Sequence, residues 1–189
     1  MAFLIVSVSF GGLAAAMTVF VGPAAAGSGI AELMGYFNGI HIPGLIGART
    51  LITKLIGTSL GVAASLAIGK EGPLAHIGAI VGQMVLYAPF EWLKPFRNEK
   101  LKREVAAAGA AAGVSAAFGS PIGGSLFAYE IAKPATFWSF SLTWKIFFCS
   151  SISTFTLNLL ICFMKGEDLS ITNAGLIKFG EYDENPYKL

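Results

Sequence analysis

No charged side chain occurs between Met1 and Ala31, and the pattern recurs. Residues 55–69, 105–129 and 146–164 also lack Asp, Glu, Lys and Arg. Segments that cross hydrocarbon are built this way. Yet Gly22-Pro23, Asn38-Gly39, Pro43-Gly44, Gly69, Gly119 and Pro134 cut the apolar stretches into pieces. In a membrane, a broken helix is tolerated only where its freed backbone groups are buried in protein or line a polar cavity. The sequence therefore predicts an all-α, polytopic membrane protein that mixes long helices with half-helices. Composition agrees, with 54% apolar residues and a mean hydropathy of +0.68. The net charge of +2 and the lack of an arginine patch with interleaved aromatics exclude a nucleic-acid partner.

The expected helices are 3–21, 29–38, 45–68, 71–86, 105–118, 121–132 and 143–164. Ala24-Ala25-Ala26 resembles a signal-peptidase site, but no Lys or Arg precedes the apolar run, so a membrane helix is the expected form. Arg49 and Lys54 fall in the first half of 45–68 and are expected near a membrane interface. Residues 89–104 hold Lys94, Arg97, Lys100, Lys102 and Arg103, and read as a solvated cytoplasmic loop. Ser120-Pro121 reads as an N-cap followed by proline at the first helical position. Gly109 and Gly113 form a GxxxG pair that allows close helix approach, within one subunit or between two. Cys149 and Cys162 lie thirteen residues apart on one helix, out of disulfide reach, and are expected to be buried thiols. The membrane region is expected over 1–164 and a polar loop or tail over 165–189.

Two helix starts carry chemistry. Glu71 opens the helix 71–86, with Pro73 in its first turn. The first N–H groups of a helix lack intrahelical acceptors and carry partial positive charge, so they attract anions. Gly69 and Gly72 let backbone come close. A carboxylate there can occupy the anion position itself and act as a gate, or it can stabilise its own helix end. Gly27-Ser28-Gly29 is a second start of the same kind, where Ser28 either donates to an anion or serves as an N-cap. Glu130 stands near a helix C-terminus, where the dipole disfavours it. It is a candidate for a proton path, or for an interfacial pair with Lys133.

Several enzymatic readings fail. A Walker A loop would need glycine at Ala64 and Ser or Thr at Glu71. GSGIAE lacks the third glycine of a dinucleotide loop. Glu71 and His76 are about 140° apart on a helix and share no metal-binding face. His76 reads as a packed histidine or local donor, and neither His41 nor His76 has a triad partner. No catalytic residue, metal or cofactor is expected, and the chain is not read as an enzyme.

The stretches "GSGIAE", "GKEGPLAH" and "FGSPIGGSLFAYE" together resemble the CLC family of voltage-gated chloride channels and chloride/proton exchangers. "FWSFSLTWKIFFCSSISTFTLN" is similar to its endosomal and lysosomal branch. The resemblance implies an integral, multi-pass protein of an intracellular membrane that transports chloride, with protons as a second cargo and lipid around it. It implies a homodimer with one pore per subunit. Ser28 would correspond to the serine at the central chloride, with Gly27, Gly29 and Gly72 at the anion site. Glu71 would correspond to the gating glutamate, within the motif of Gly69, Lys70 and Pro73.

Three departures stand out. Ala31 replaces the proline usual after Gly-Ser-Gly-Ile. Ile131 stands where exchangers carry a second glutamate, although "IAKPAT" runs about two residues long, so Glu130 is the alternative proton carrier. The sequence also matches parts of the first half of an inverted-repeat fold only. A partial sequence is expected. The alternative is a truncated, non-conducting membrane subunit that packs with or modulates a full-length partner.

Overall fold

The structure is a computed structural model, and it describes residues 1–89, 91–133 and 138–165. Seven α-helices follow one another: α1 (Ala2–Phe20), α2 (Ile30–Phe37), α3 (Ala48–Ala63), α4 (Glu71–Leu86), α5 (Glu99–Phe118), α6 (Pro121–Ala132) and α7 (Phe140–Lys165). Short 3-10 turns occupy Pro23–Ala25 and Glu91–Phe96. The described residues contain no strand. The expected tail from residue 166 onward and Pro134 lie outside the described residues.

α1 and α7 are long and apolar enough to cross a membrane, over Phe3–Phe20 and Phe140–Met164. Both leave large apolar side chains exposed, including Val8, Phe20, Trp144, Phe155 and Phe163. α6, at twelve residues, reaches only ~18 Å. Long and half-helices thus occur together, as the glycine and proline breaks predict.

α5 is the hub, packed against α2, α4, α6 and α7. Its alanines are small because neighbours press on several faces; Ala106, Ala107, Ala110 and Ala111 are fully buried. They join Leu33, Phe37, Ala128, Ile131, Leu142 and Ile146 in one core. The GxxxG pair works inside the chain. A methyl added at Gly109 would overlap the carbonyl oxygen of Gly78, and one at Gly113 would overlap that of Leu74. Gly82 faces Val105 and Gly109 in turn. Two glycine pairs, one on α4 and one on α5, therefore meet backbone to backbone.

Local chemistry explains the helix limits. α4 and α6 occupy their expected spans. Ser120 caps α6, its Oγ accepting from the Gly123 N–H at 3.1 Å, with Pro121 next. α3 is shorter than expected: it ends at Ala63, and Ser65 takes a left-handed φ of 57°. α5 starts six residues early, because Asn98 Oδ1 accepts from the Leu101 N–H at 2.7 Å and caps it. The basic stretch is thus part helix rather than a solvated loop. Arg97 donates to the carbonyls of Leu86 and Ala88 at the end of α4. Glu104 is buried between Lys145 of α7, at 3.4 Å, and Lys100, at 3.9 Å. Cys149 and Cys162 share α7, but both are partly exposed rather than buried.

Candidate functional site

The two glycine-marked helix starts come together. A β-carbon added at Gly72 would lie 2.7 Å from Ser28 Cβ, 3.3 Å from the Ser28 carbonyl oxygen and 3.4 Å from Ile30 Cδ1. The first turn of α4 therefore rests on the entry to α2. Only glycine fits at position 72, since any side chain would separate the two starts.

At α2, Gly27 and Gly29 hold φ values of 69° and 86°, a region open to glycine at little cost. Ser28 is exposed between them. Gly29, not Ser28, is the N-cap. The Ser28 oxygen accepts from the Ile30 N–H at 3.3 Å, leaving its own hydroxyl proton free to donate. The Leu33 N–H is taken by the Gly29 carbonyl at 3.0 Å. That leaves the Ala31 and Glu32 amides without an acceptor among the described residues. Glu32 places a half-buried carboxylate in the same turn.

At α4 the N-cap is Lys70, with no side-chain cap bond. The Leu74 N–H is bonded to the Lys70 carbonyl at 3.0 Å, and Pro73 has no N–H. The free donors are the amides of Glu71 and Gly72. The Glu71 carboxylate folds back over Gly69: its Oε2 is 2.6 Å from where a Gly69 β-carbon would stand. Gly69 is small because this acidic side chain uses the space.

Two residues brace the junction. His76 is fully buried, its Nε2 2.9 Å from the Leu45 carbonyl. The imidazole lies against Gly29, where a β-carbon would overlap it. The expected packed histidine is thus a strut joining α4 to both preceding segments. Lys54 lies where the sequence did not put it. It is 3% exposed, not interfacial, and its Nζ donates to the carbonyls of Gly27 at 3.0 Å and Ala25 at 3.3 Å. A signal was available. Thr50, Thr53, Lys54 and Gly61 are all buried on one face of α3, at helical spacing. An inward polar stripe on an apolar helix marks a side facing polar backbone.

Glu130 is exposed and makes no ion pair among the described residues. Of the two readings of Glu130, the pair with Lys133 is not formed among the described residues; Lys133 sits over the Tyr129 ring, 5.1 Å from its centroid. Ile131 is 2% exposed and belongs to the core.

Taken as a whole, the junction presents several uncapped N–H groups and one hydroxyl, with a carboxylate at the rim. Such a set can replace part of an anion's hydration shell.

Comparison with known proteins gives the same direction. The family model described as "Voltage gated chloride channel" matches residues 10–179. The chain is 43% identical over 178 residues to "H(+)/Cl(-) exchange transporter 7" of Bos taurus, covering 90% of this chain and 22% of the relative. It is 40% identical over 190 residues to "Chloride channel protein A" of Dictyostelium discoideum, covering 97% and 21%. It is 41% identical over 181 residues to "Putative chloride channel-like protein CLC-g" of Arabidopsis thaliana, covering 91% and 23%. The chain spans about a fifth of the length of these relatives.

Proposed function

The chain belongs to the voltage-gated chloride channel family, and from that premise we propose that it supplies the gated end of a chloride pathway within a longer membrane transporter. Chloride is held by the Ser28 hydroxyl and by uncapped amides at the starts of α2 and α4, with Gly27, Gly29 and Gly72 giving the backbone room. Glu71 closes the path by putting its own carboxylate where the anion would sit, and opens it by swinging away or taking a proton. Lys70 and Pro73 shape the turn that aims it. The observation that carries this reading is the contact between Ser28 and Gly72, which brings two anion-attracting helix ends to one place.

Proton coupling belongs to the same proposal. The Bos taurus relative is named an exchange transporter. Glu130 is the acidic side chain at the end of α6 available for a proton, because Ile131 is packed in the core. A homodimer in an endosomal or lysosomal membrane is the arrangement we expect of the complete protein.

The test is Glu71→Ala in the full-length transporter, reconstituted in liposomes beside Ser28→Ala. Glu71→Ala removes the pH and voltage dependence of chloride flux, while Ser28→Ala weakens chloride preference with gating intact. Wild-type pH and voltage dependence in Glu71→Ala refutes the gate. A reversal potential set by chloride alone across a pH gradient refutes the proton role of Glu130.

A further inference from the structure

Residues 25–29 present Ser28, yet little in their own backbone holds them. The last bond of the preceding turn is Ala26 N–H to the Pro23 carbonyl, and the next runs from Leu33 N–H to the Gly29 carbonyl. Between them the amides of Gly27, Ser28 and Gly29 have no backbone acceptor among the described residues. Two of these three residues are glycines, the residue that loses most freedom when ordered. Packing holds only its far end, where Ser28 meets Gly72 and Gly29 meets the His76 ring. Behind Ala25, Ala26 and Gly27 lies a cavity of ≈ 380 Å³, walled on the other side by Thr53, Lys54, Gly57 and Pro73.

Lys54 is what crosses that space. Its ammonium reaches the Gly27 carbonyl at 3.0 Å and the Ala25 carbonyl at 3.3 Å. No carboxylate of the described residues lies within 4.0 Å of it. A buried lysine needs good partners, and charge-assisted bonds to carbonyls are strong ones. A trans peptide points its C=O and the following N–H in opposite directions. Fixing the Gly27 carbonyl on α3 therefore turns the Ser28 N–H away from α3.

We propose that Lys54 is a positioning residue for the anion site: its N–H donors anchor the Gly27–Ser28 peptide and so set where the Ser28 hydroxyl and amide meet Gly72. This rests on the reading of Ser28 as an anion ligand. Among the described residues, the Lys54 ammonium bonds to the Gly27 and Ala25 carbonyls and not to the Ser28 hydroxyl or Glu71. It acts through the backbone, by donating hydrogen bonds to its carbonyls, rather than by direct contact of its charge with the anion.

The two roles separate by substitution. Lys54→Gln keeps amide donors without the charge, on a side chain one methylene shorter; Lys54→Met keeps volume and has neither. Both are made in the full-length transporter with Ser28→Ala as reference. Chloride affinity is read by calorimetry, and the chloride-to-nitrate permeability ratio from reversal potentials in liposomes. Lys54→Met is expected to lose about tenfold in chloride affinity and move its ratio toward that of Ser28→Ala. Lys54→Gln, whose donors reach less far, is expected to lose less than Lys54→Met. Wild-type behaviour of Lys54→Met, with Ser28→Ala altered, overturns the role of Lys54 and leaves the site standing. A loss in Lys54→Gln equal to or larger than that in Lys54→Met overturns it too, because a donor at this position then gives no advantage. Wild-type selectivity in Ser28→Ala refutes the anion site itself and this inference with it. If Lys54→Met does not assemble, a tenfold loss in Lys54→Gln alone is enough to refute the proposal.

Discussion

Gly72→Ala puts the meeting of the two helix ends to the sharpest test. Helix propensity alone favours the change, since alanine is better than glycine by up to ~1 kcal/mol inside a helix. The geometry opposes it. The new methyl would lie 2.7 Å from Ser28 Cβ, whereas unstrained carbons sit about 3.5–4.0 Å apart. One helix start must move by about 1 Å, and the strain costs about 1–3 kcal/mol. Strain exceeds the propensity gain, so thermal stability falls. Function falls further. An anion bridging two sets of donors cannot follow both when they separate. Loss of one hydrogen bond to a charged group is worth ~1.5–3 kcal/mol, roughly a ten- to hundredfold drop in chloride affinity. Calorimetric titration of the full-length protein with chloride measures this directly. Gly12→Ala is the control, because a β-carbon there meets nothing within 4 Å; it should bind chloride normally and be no less stable. Wild-type chloride affinity in Gly72→Ala would mean that the contact with Ser28 plays no part in holding the anion.

Two other substitutions probe separate links. Gly78→Ala drives a methyl into the Gly109 carbonyl, so α4 and α5 part at a cost of about 1–3 kcal/mol; a melting temperature in detergent equal to wild type would contradict the tight seam. Ala31→Pro removes one free amide at a helix start that accepts proline. The fold should persist while chloride affinity drops a few-fold, and unchanged affinity would show that this N–H does not reach the ion.

Much of the fold was legible because its boundaries are written in local chemistry. α4 and α6 begin at residues whose types determine a start: glycine and proline around Glu71, and Ser120 with Pro121. α5 hid its beginning because charged residues look like loop, although Asn98 is a good cap. α3 hid its end because nothing in Ala64-Ser65-Leu66 forbids helix; the left-handed turn at Ser65 is closed by the Leu66 N–H, which donates back to the Gly61 carbonyl at 3.1 Å. The candidate site divides in the same way. Ser28 and Glu71 stand out as polar residues between glycines, and each needs only its own neighbours to be noticed. Lys54 needs a partner 27 residues away, and no short window contains that information. Glu130 shows the reverse: of its two readings, the pair plausible by spacing is not formed, and Lys133 lies over the face of Tyr129 instead.

The seam between α4 and α5 limits how this protein can move. Along it, Gly78 and Gly82 touch Gly109 and Gly113 with no side chain interposed. Side chains are the compliant part of a helix interface, because they can change rotamer while the backbones shift. Here that compliance is missing, and the two helices form one stiff body. The gate proposed for Glu71 is mounted on this body and gains nothing from tilting its support. It is left with rotation about its own few bonds, a motion of nanoseconds rather than of the microseconds or longer that helices need to slide.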